Sequence, residues 1–299
     1  MKSQKIKLSH EDSIFNLIVY TLSTITLILV AYPLIYVFSA SLSDPISILN
    51  GDVWLLPKGL HFNAYKEVFK TPGVLIGYRN TILYAIVGTF INMVMTIIAA
   101  YPLSRRDLMG GNFITFFITF TMFFSGGMIP TYLTIKSLNM LNTFWVMVIP
   151  GAINVTNFII MRNFFQYSVP NELIEAAYVD GCFNIGILWK IVLPISKSIL
   201  AAITIFYLSG HWNTYFDALI YLSDKNKYPL QVFLRQILIK NQPGDMMRQV
   251  DSTTTADLQL LFEVLKYAII VVSSLPMLIL YPMLQKHFVK GIMMGSIKG

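Results

Sequence analysis

The sequence predicts an all-α, polytopic membrane protein: six transmembrane helices, with one short helix lying across the cytoplasmic face between the fourth and fifth. Three observations predict it. The 299-residue chain is 55% hydrophobic and only 12% charged, and its mean hydropathy of +0.62 lies outside the balance of a water-soluble domain. Six runs are long and apolar enough to cross a hydrocarbon core about 30 Å thick, which takes about 20 helical residues. One stretch between two of those runs, ELIEAAYVDGCFNIGILWKIVLP (172–194), is too short and too charged to span, yet too regular for a loop.

The runs fall at 14–40, 81–103, 113–135, 143–161, 195–222 and 264–284. The first follows MKSQKIK and imitates a signal peptide, but it far exceeds the roughly 7 to 15 residues of such an apolar region and continues through Pro33, so it reads as a retained span. Gly126, Gly127 and Pro130 in the third read as a kink or packing device. Gly210, His211, Trp212 and Asn213 put a polar kink into the fifth. Six spans place both ends of the chain on one side. Lys and Arg divide evenly between the two sides, so the short connections decide: SRRD (104–107) is a tight basic turn, and the tail from Gln285 carries no acid. Both termini are therefore expected in the cytoplasm. Segments 1–13 and 285–299 become cytoplasmic tails of a single membrane domain, 14–284. The long loops 41–80 and 223–263 then face outward. The former holds a short helical pattern around 65–69; the latter carries YPLQVFLRQIL, which fits an interfacial helix or a strand. Loops of this length are usually functional.

Composition also excludes. The formal charge is +7 with no basic cluster, which fits anchoring at the lipid surface and not nucleic-acid binding. Cys182 is the one cysteine, so there is no internal disulfide and no cysteine metal site. His10, His61, His211 and His287 lie in different regions without zinc-like spacing, and no metal site is expected. No Gly-x-x-x-x-Gly-Lys loop is present, so the chain has no cradle for a nucleotide and is expected to bind no cofactor itself. An intramembrane enzyme would need paired catalytic groups at membrane depth, and no Ser/His or Asp/Asp pair stands out. The competing class is an ion-coupled secondary transporter for a polar solute, which normally places carboxylates or arginines inside its spans. Spans one to four hold essentially none, and Asp217, Glu263 and Lys266 sit at or near the ends of the fifth and sixth.

SVPNELIEAAYVDG reads as a helix over 170–180, with Ser168 near the cap, Pro170 in the first turn, Glu172 and Glu175 at the positive dipole end, and Gly181 as the stop. Such a rod is about 16 Å long, too short to span. Leu173, Ala176, Ala177 and Asp180 fall on one stripe, where alanine lets another surface approach the backbone. A second helical segment, 185–192, precedes Pro194. A helix that merely packs on lipid is one reading. Glu172 and Glu175 would sit badly against an anionic leaflet, and acidic side chains flanking small apolar ones better suit a basic, grooved protein partner.

EAAYVDGCFNIGILWKIVLP resembles the EAA loop of the permease subunits of binding-protein-dependent ABC importers, matched at Glu175, Ala176, Ala177, Gly181, Ile191, Leu193 and Pro194. The family often has a further proline where Ser198 stands here. NTILYAIVGT, AAYPLSRRD and HWNTYFDALIYLSD resemble the sugar-transporting branch, and FSGGMIPTYLTIKSLNMLNTFWVMVIPGA with YPLQVFLRQIL resembles permeases for complex oligosaccharides. The resemblance implies a transport subunit of a bacterial cell membrane and not an enzyme. It implies three partners: a second permease subunit, a cytoplasmic ATPase dimer that holds ATP and Mg, and an extracytoplasmic solute-binding protein. It further implies that the EAA loop (170–194) couples to the ATPase through Glu172, Glu175, Ala176, Ala177, Asp180 and Gly181, with Glu175 as the polar contact.

Sugar sites offer aromatic faces to CH groups and a few amides or hydroxyls to oxygens. Tyr207, His211, Trp212, Asn213, Tyr215 and Phe216, with Phe206 beside them, place both kinds of group in the fifth span, where polar groups need a reason. They are the candidate substrate path. Aromatic residues are 14% of the chain, so simple packing or an interfacial belt stays open for them. His211 reads as a hydrogen-bonded helix-breaker.

Overall fold

The computed structural model describes residues 10–240 and 255–295, and every regular element among them is helical. Residues 1–9, 241–254 and 296–299, which hold most of the predicted amino-terminal tail, part of the second outer loop and the end of the carboxy-terminal tail, lie outside the described residues. The chain divides into two compact units, one within Met1–Lys70 and Met247–Val272, the other within Thr71–Met246 and Ser273–Gly299.

The first unit opens with α1 (His10–Ser41), an unbroken helix through Pro33 whose apolar window has no buried residue. The segment after it, predicted as an outward loop, is folded. α2 (Pro45–Leu49) starts behind Asp44, whose carboxylate accepts the Ile46 N–H at 3.1 Å, with proline in the first turn where no N–H is needed. α3 (Asn63–Lys70) buries Ala64 and Val68 and realises the helical pattern around 65–69. Serine hydroxyls tie these pieces to the end of α1: Ser39 donates to the Leu55 carbonyl at 2.7 Å, Ser43 accepts from the Lys58 N–H at 3.1 Å, and Ser41 meets the Tyr65 hydroxyl at 2.7 Å.

The second unit is built around α4 (Pro72–Ser104). Thr81, Ala85, Gly88, Asn92, Thr96 and Ala100 recur at helical spacing and are all buried. This stripe of small and polar residues suits a helix packed on protein within a membrane. The third predicted span is not continuous: α5 (Gly111–Phe120) stops, and α6 (Met128–Ser137) restarts after Gly127, whose φ of +84° is a conformation other residues rarely adopt. Pro130 sits in the first turn of α6, where its missing N–H costs nothing. The fourth predicted span, 143–161, is corrected more strongly. Only a 3₁₀ turn (Trp145–Met147) precedes Pro150 and Gly151, and α7 (Val155–Ser168) begins behind Asn154, whose side chain accepts the Asn157 N–H at 3.1 Å. A proline followed by glycine in mid-run removes a donor and stiffness at once.

α8 (Asn171–Val179) is the predicted short helix, entered one residue later than expected because Pro170 takes the cap position. α9 (Asn184–Ile187), a π turn (Leu188–Val192) and α10 (Leu193–Ile195) continue it. The Leu193 N–H reaches back to the Leu188 carbonyl just before Pro194, which has no N–H to give. The chain then bends by 84° into α11 (Lys197–Trp212); π bulges and prolines are common causes of such bends. The polar kink of the fifth span is real: α11 ends at Trp212 and α12 (Phe216–Tyr221) follows after three residues. α13 (Leu230–Lys240) makes YPLQVFLRQIL a helix, and α14 (Thr255–Gly295) closes the chain. In the first unit Tyr36 of α1 meets Tyr267 of α14 edge-on at 5.9 Å.

Among the described residues three helices are by themselves long and apolar enough to cross a membrane, within α1, α4 and α14, and the bent pair ending in α11 is a fourth if it is counted as one span. α4 packs on α7 and α11. Their core holds Phe158, Met161 and Ile203, and Ile174, Ala177 and Ile187 of the short-helix region join it. At the other end of this unit Asn142, with φ +55°, organises the loops. Its carboxamide oxygen accepts the Ser223 and Asp224 N–H groups at 3.1 and 3.0 Å, and its carbonyl accepts Lys227 Nζ at 2.7 Å. Asn80 and Thr81 of α4 hold the same loop, donating to the Asn226 carbonyl at 2.7 Å and accepting the Leu230 N–H at 2.8 Å.

Asn142→Ala removes two acceptor contacts and disfavours the positive φ, so a loss of about 1 to 2 kcal/mol is expected. Hydrogen exchange checks it: the Ser223 and Asp224 amides should exchange faster than in the parent, and unchanged rates would show that Asn142 does not hold the loop.

Candidate functional site

Backbone that leaves a helix within a membrane keeps N–H and C=O groups that lipid cannot satisfy, at several kcal/mol each. The segment before α7 leaves the helix within the run predicted as the fourth span, and the protein itself meets its polar groups. Asn92, 1% exposed near the middle of α4, donates its amide hydrogens to the carbonyls of Gly151 at 2.7 Å and Ala152 at 3.0 Å. Its Oδ1 is left to face His211 Nε2 at 2.6 Å, which makes Nε2 the protonated nitrogen of that ring. Gly88, one turn earlier on α4, leaves the space: a Cβ there would run into the His211 ring. One turn before His211 on α11, the Tyr207 hydroxyl accepts the Asn154 N–H at 3.1 Å and meets Thr96 Oγ1 at 2.7 Å. The broken segment is thus stitched to α4 and α11 by side chains.

Beside these bonds lies an open cavity of about 480 Å3, walled by Asn154, Asn157, Thr131, Phe206, Tyr207 and His211, with Asp217 also on its wall. Amides, hydroxyls and aromatic faces at this volume match what a small polar ligand requires. Of the six residues singled out for a solute path, Tyr207 and His211 line it. The other four do not. Trp212 is 4% exposed, donates Nε1–H to the Ser273 carbonyl at 3.0 Å and packs edge-on to Tyr78 at 6.3 Å. Asn213 folds back on its own helix, Nδ2 donating to the Ser209 carbonyl at 2.9 Å. Tyr215 and Phe216 are exposed at the break between α11 and α12. Sequence reasoning missed Asn92, Asn154, Asn157 and Thr131. Asn92 had a usable signal: a carboxamide at the centre of an apolar run.

The short helix lies at the opposite end of this unit from Asn142. Glu172, Glu175, Ala176 and Asp180 are exposed. Ala177 is not: the sequence stripe put it on the outward face, but at 5% exposure it turns inward with Ile174, three residues before it, into the cluster that also holds Phe165 and Val169. Gly181, with φ +76°, ends the helix in a paired closure, Gly181 N–H to the Tyr178 carbonyl and Cys182 N–H to the Ala177 carbonyl, both at 2.9 Å. Val179 before it and Phe183 beyond it are 89% and 85% exposed. The SRRD turn comes to the same place. Arg105 stands 5.2 Å over the Tyr178 ring and makes two 3.0 Å bonds to Asp107, which hold that carboxyl below the usual carboxylate range. Tyr101, Arg105, Gln166 and Glu175 wall a cavity of about 490 Å3. There the Tyr101 hydroxyl, Arg105 Nη1 and Gln166 Oε1 are buried without a hydrogen-bond partner among the described residues.

Comparison with known proteins adds the family context. YtcP of Bacillus subtilis (strain 168), a permease protein of a polygalacturonan/rhamnogalacturonan transport system, is 38% identical over 291 residues, 97% of this chain and 100% of the relative. LplC of the same strain is 41% identical over 271 residues, 89% of each chain. In a crystal structure of a bacterial ABC transporter involved in the import of the acidic polysaccharide alginate, one chain matches with a TM-score of 0.85 and 34% identity, covering 95% of this chain and 100% of that one. No family model matches the chain.

Asn92→Leu leaves two carbonyls and one imidazole N–H without partners, a loss of about 3 kcal/mol at about 1 kcal/mol for each bond. The thermal unfolding midpoint of the detergent-solubilised protein should fall accordingly, and an unchanged midpoint would mean that the broken segment is satisfied by other means.

Proposed function

The chain belongs to the permease subunits of sugar-transporting ABC importers, and from that membership we infer that it forms one half of an ATP-driven path for an oligosaccharide. It is a multi-pass membrane protein. In this reading an extracytoplasmic solute-binding protein delivers the sugar, a second permease subunit completes the path, and a cytoplasmic ATPase dimer holds ATP and Mg. Both termini lie in the cytoplasm, the tails 1–13 and 285–299 flanking the membrane domain. The cavity beside Tyr207 and His211 is this chain's share of the path, its amides and hydroxyls taking the place of water on sugar oxygens.

The observation that carries the coupling is the two-sidedness of α8. Ile174 and Ala177 anchor it in the same packed cluster as Phe165, Ile203 and Tyr207, so a force on the helix is passed to α7 and α11 as to a solid. Its other side, with Glu172, Glu175, Ala176 and Asp180 and the bare apolar tips Val179 and Phe183, is covered by nothing among the described residues. Acidic groups beside exposed apolar ones suit a basic groove on a protein partner. The unpartnered polar atoms of Tyr101, Arg105 and Gln166 beside Glu175 add to that unfinished surface. Closure of the ATPase pair would then move α8 as a rigid body and switch the path between inward- and outward-facing states.

Vesicle uptake tests this reading. Transport should require ATP and survive an uncoupler, whereas an ion-coupled carrier would do the reverse. Glu175→Lys and Gly181→Asp should each lower uptake about tenfold or more with the chain still inserted at normal level. Undiminished uptake in both variants would remove the coupling role from this helix.

A further inference from the structure

A second group of side chains stands next to the cavity, at the break between α11 and α12. Thr214 and Asp217, which flank Tyr215 and Phe216, belong to the cavity wall; the tyrosine itself is exposed beside it. α13 is held over this break from its first residue, by the Thr81 bond to the Leu230 N–H. Gln231 and Arg235, one turn apart on α13, reach the break. Gln231 Nε2 lies 3.5 Å from Asn213 Oδ1, and the Arg235 guanidinium lies 4.6 Å from the centre of the Tyr215 ring. Arg235 is exposed, and among the described residues no carboxylate pairs with it. The arrangement is a planar cation on an aromatic ring, with two carboxamides beside it.

Packing does not require this cation. An exposed stack of arginine on tyrosine contributes only about 0.5 to 1 kcal/mol, and α13 is already seated by backbone and apolar contacts, with Val232 and Phe233 buried. Stacking does fix the plane of the guanidinium, leaving its N–H edge to meet a carboxylate through two parallel bonds. Carboxamides match sugar hydroxyls in both donor and acceptor sense. Asp217 on the cavity wall can accept from hydroxyls but would repel an anion, so a charged ligand group is directed away from it and toward Arg235. Resting on the importer reading above, we infer that Asn213, Tyr215, Gln231 and Arg235 form a subsite for a carboxylate-bearing sugar, the uronic acid unit of an acidic oligosaccharide. The site lies at the rim of the cavity, with the carboxylate on Arg235 and the hydroxyls on the two amides.

The experiment uses the complete importer, with its ATPases, second permease and binding protein, in proteoliposomes. The probes are trigalacturonate and its fully methyl-esterified form, which share a skeleton and differ in charge. The parent importer should take up the free acid. Arg235→Ala should lower uptake of the acid relative to the ester by about fivefold, the upper range for one exposed ion pair, and Arg235→Lys, which keeps the charge without the fork, should restore part of it. The binding protein's own preference is common to parent and variants and cancels from that ratio. Equal loss for acid and ester, or no change in Arg235→Ala, overturns the subsite; if Arg235→Ala fails to assemble, the same ratio in Arg235→Lys decides. A parent importer that takes up neutral oligosaccharides with ATP but not the acid overturns the uronate class and leaves the importer reading intact. A parent that shows no ATP-driven uptake of any oligosaccharide overturns that underlying reading instead.

Discussion

Inside a bilayer the backbone has no solvent, so any residue that leaves the helix must hand its N–H and C=O to another part of the protein. In the segment before α7 one carboxamide meets part of that demand. Asn92 uses both of its amide hydrogens on the carbonyls of the broken segment before α7 and its oxygen on His211. Tyr207 takes the next exposed N–H, that of Asn154. The helix break, the polar cavity wall and the seat of α11 against α4 are therefore one arrangement. Without Asn92 the carbonyls of Gly151 and Ala152 would lose their side-chain partner.

The cavity and the short helix α8 are far apart in sequence but share a core. Ile174 and Ala177, on the inner side of α8, belong to the packed cluster that also holds Ile203 and Tyr207 of α11. Between them the chain runs through a π turn and an 84° bend, where Ser196 is fully buried. Close-packed interiors deform little and tend to move as blocks. α8 is thus bare on one face and built into such a block on the other, and the Arg105 stack on Tyr178 ties the basic turn after α4 to the same helix.

Much of this was legible in residue order, for local reasons. α1, α4 and α14 are long because about 20 apolar residues in a row have few alternatives near a membrane. α8 begins beside Pro170 and ends at Gly181 because those two residues restrict or extend the backbone whatever surrounds them. The helical pattern in the loop after α1 and the interruption of the predicted fifth span were equally local, the one carried by helical spacing and the other by Gly210, His211, Trp212 and Asn213.

What only the tertiary structure decided concerns partners. Hydropathy averages over a whole run, so it counted 143–161 as one helix although Pro150 and Gly151 break it, and it could not see that a distant Asn92 makes the break tolerable. Helical spacing placed Ala177 outward with Ala176, but which face of α8 is covered depends on where Phe165 and Val169 come to lie. Trp212 and His211 are neighbours in the chain, yet one packs under Ser273 and Tyr78 while the other lines the cavity. The order of residues sets which conformations each segment can adopt and how apolar it is. Which polar atom meets which is set by packing in three dimensions, because a hydrogen bond reaches about 3 Å between groups that can stand more than a hundred residues apart.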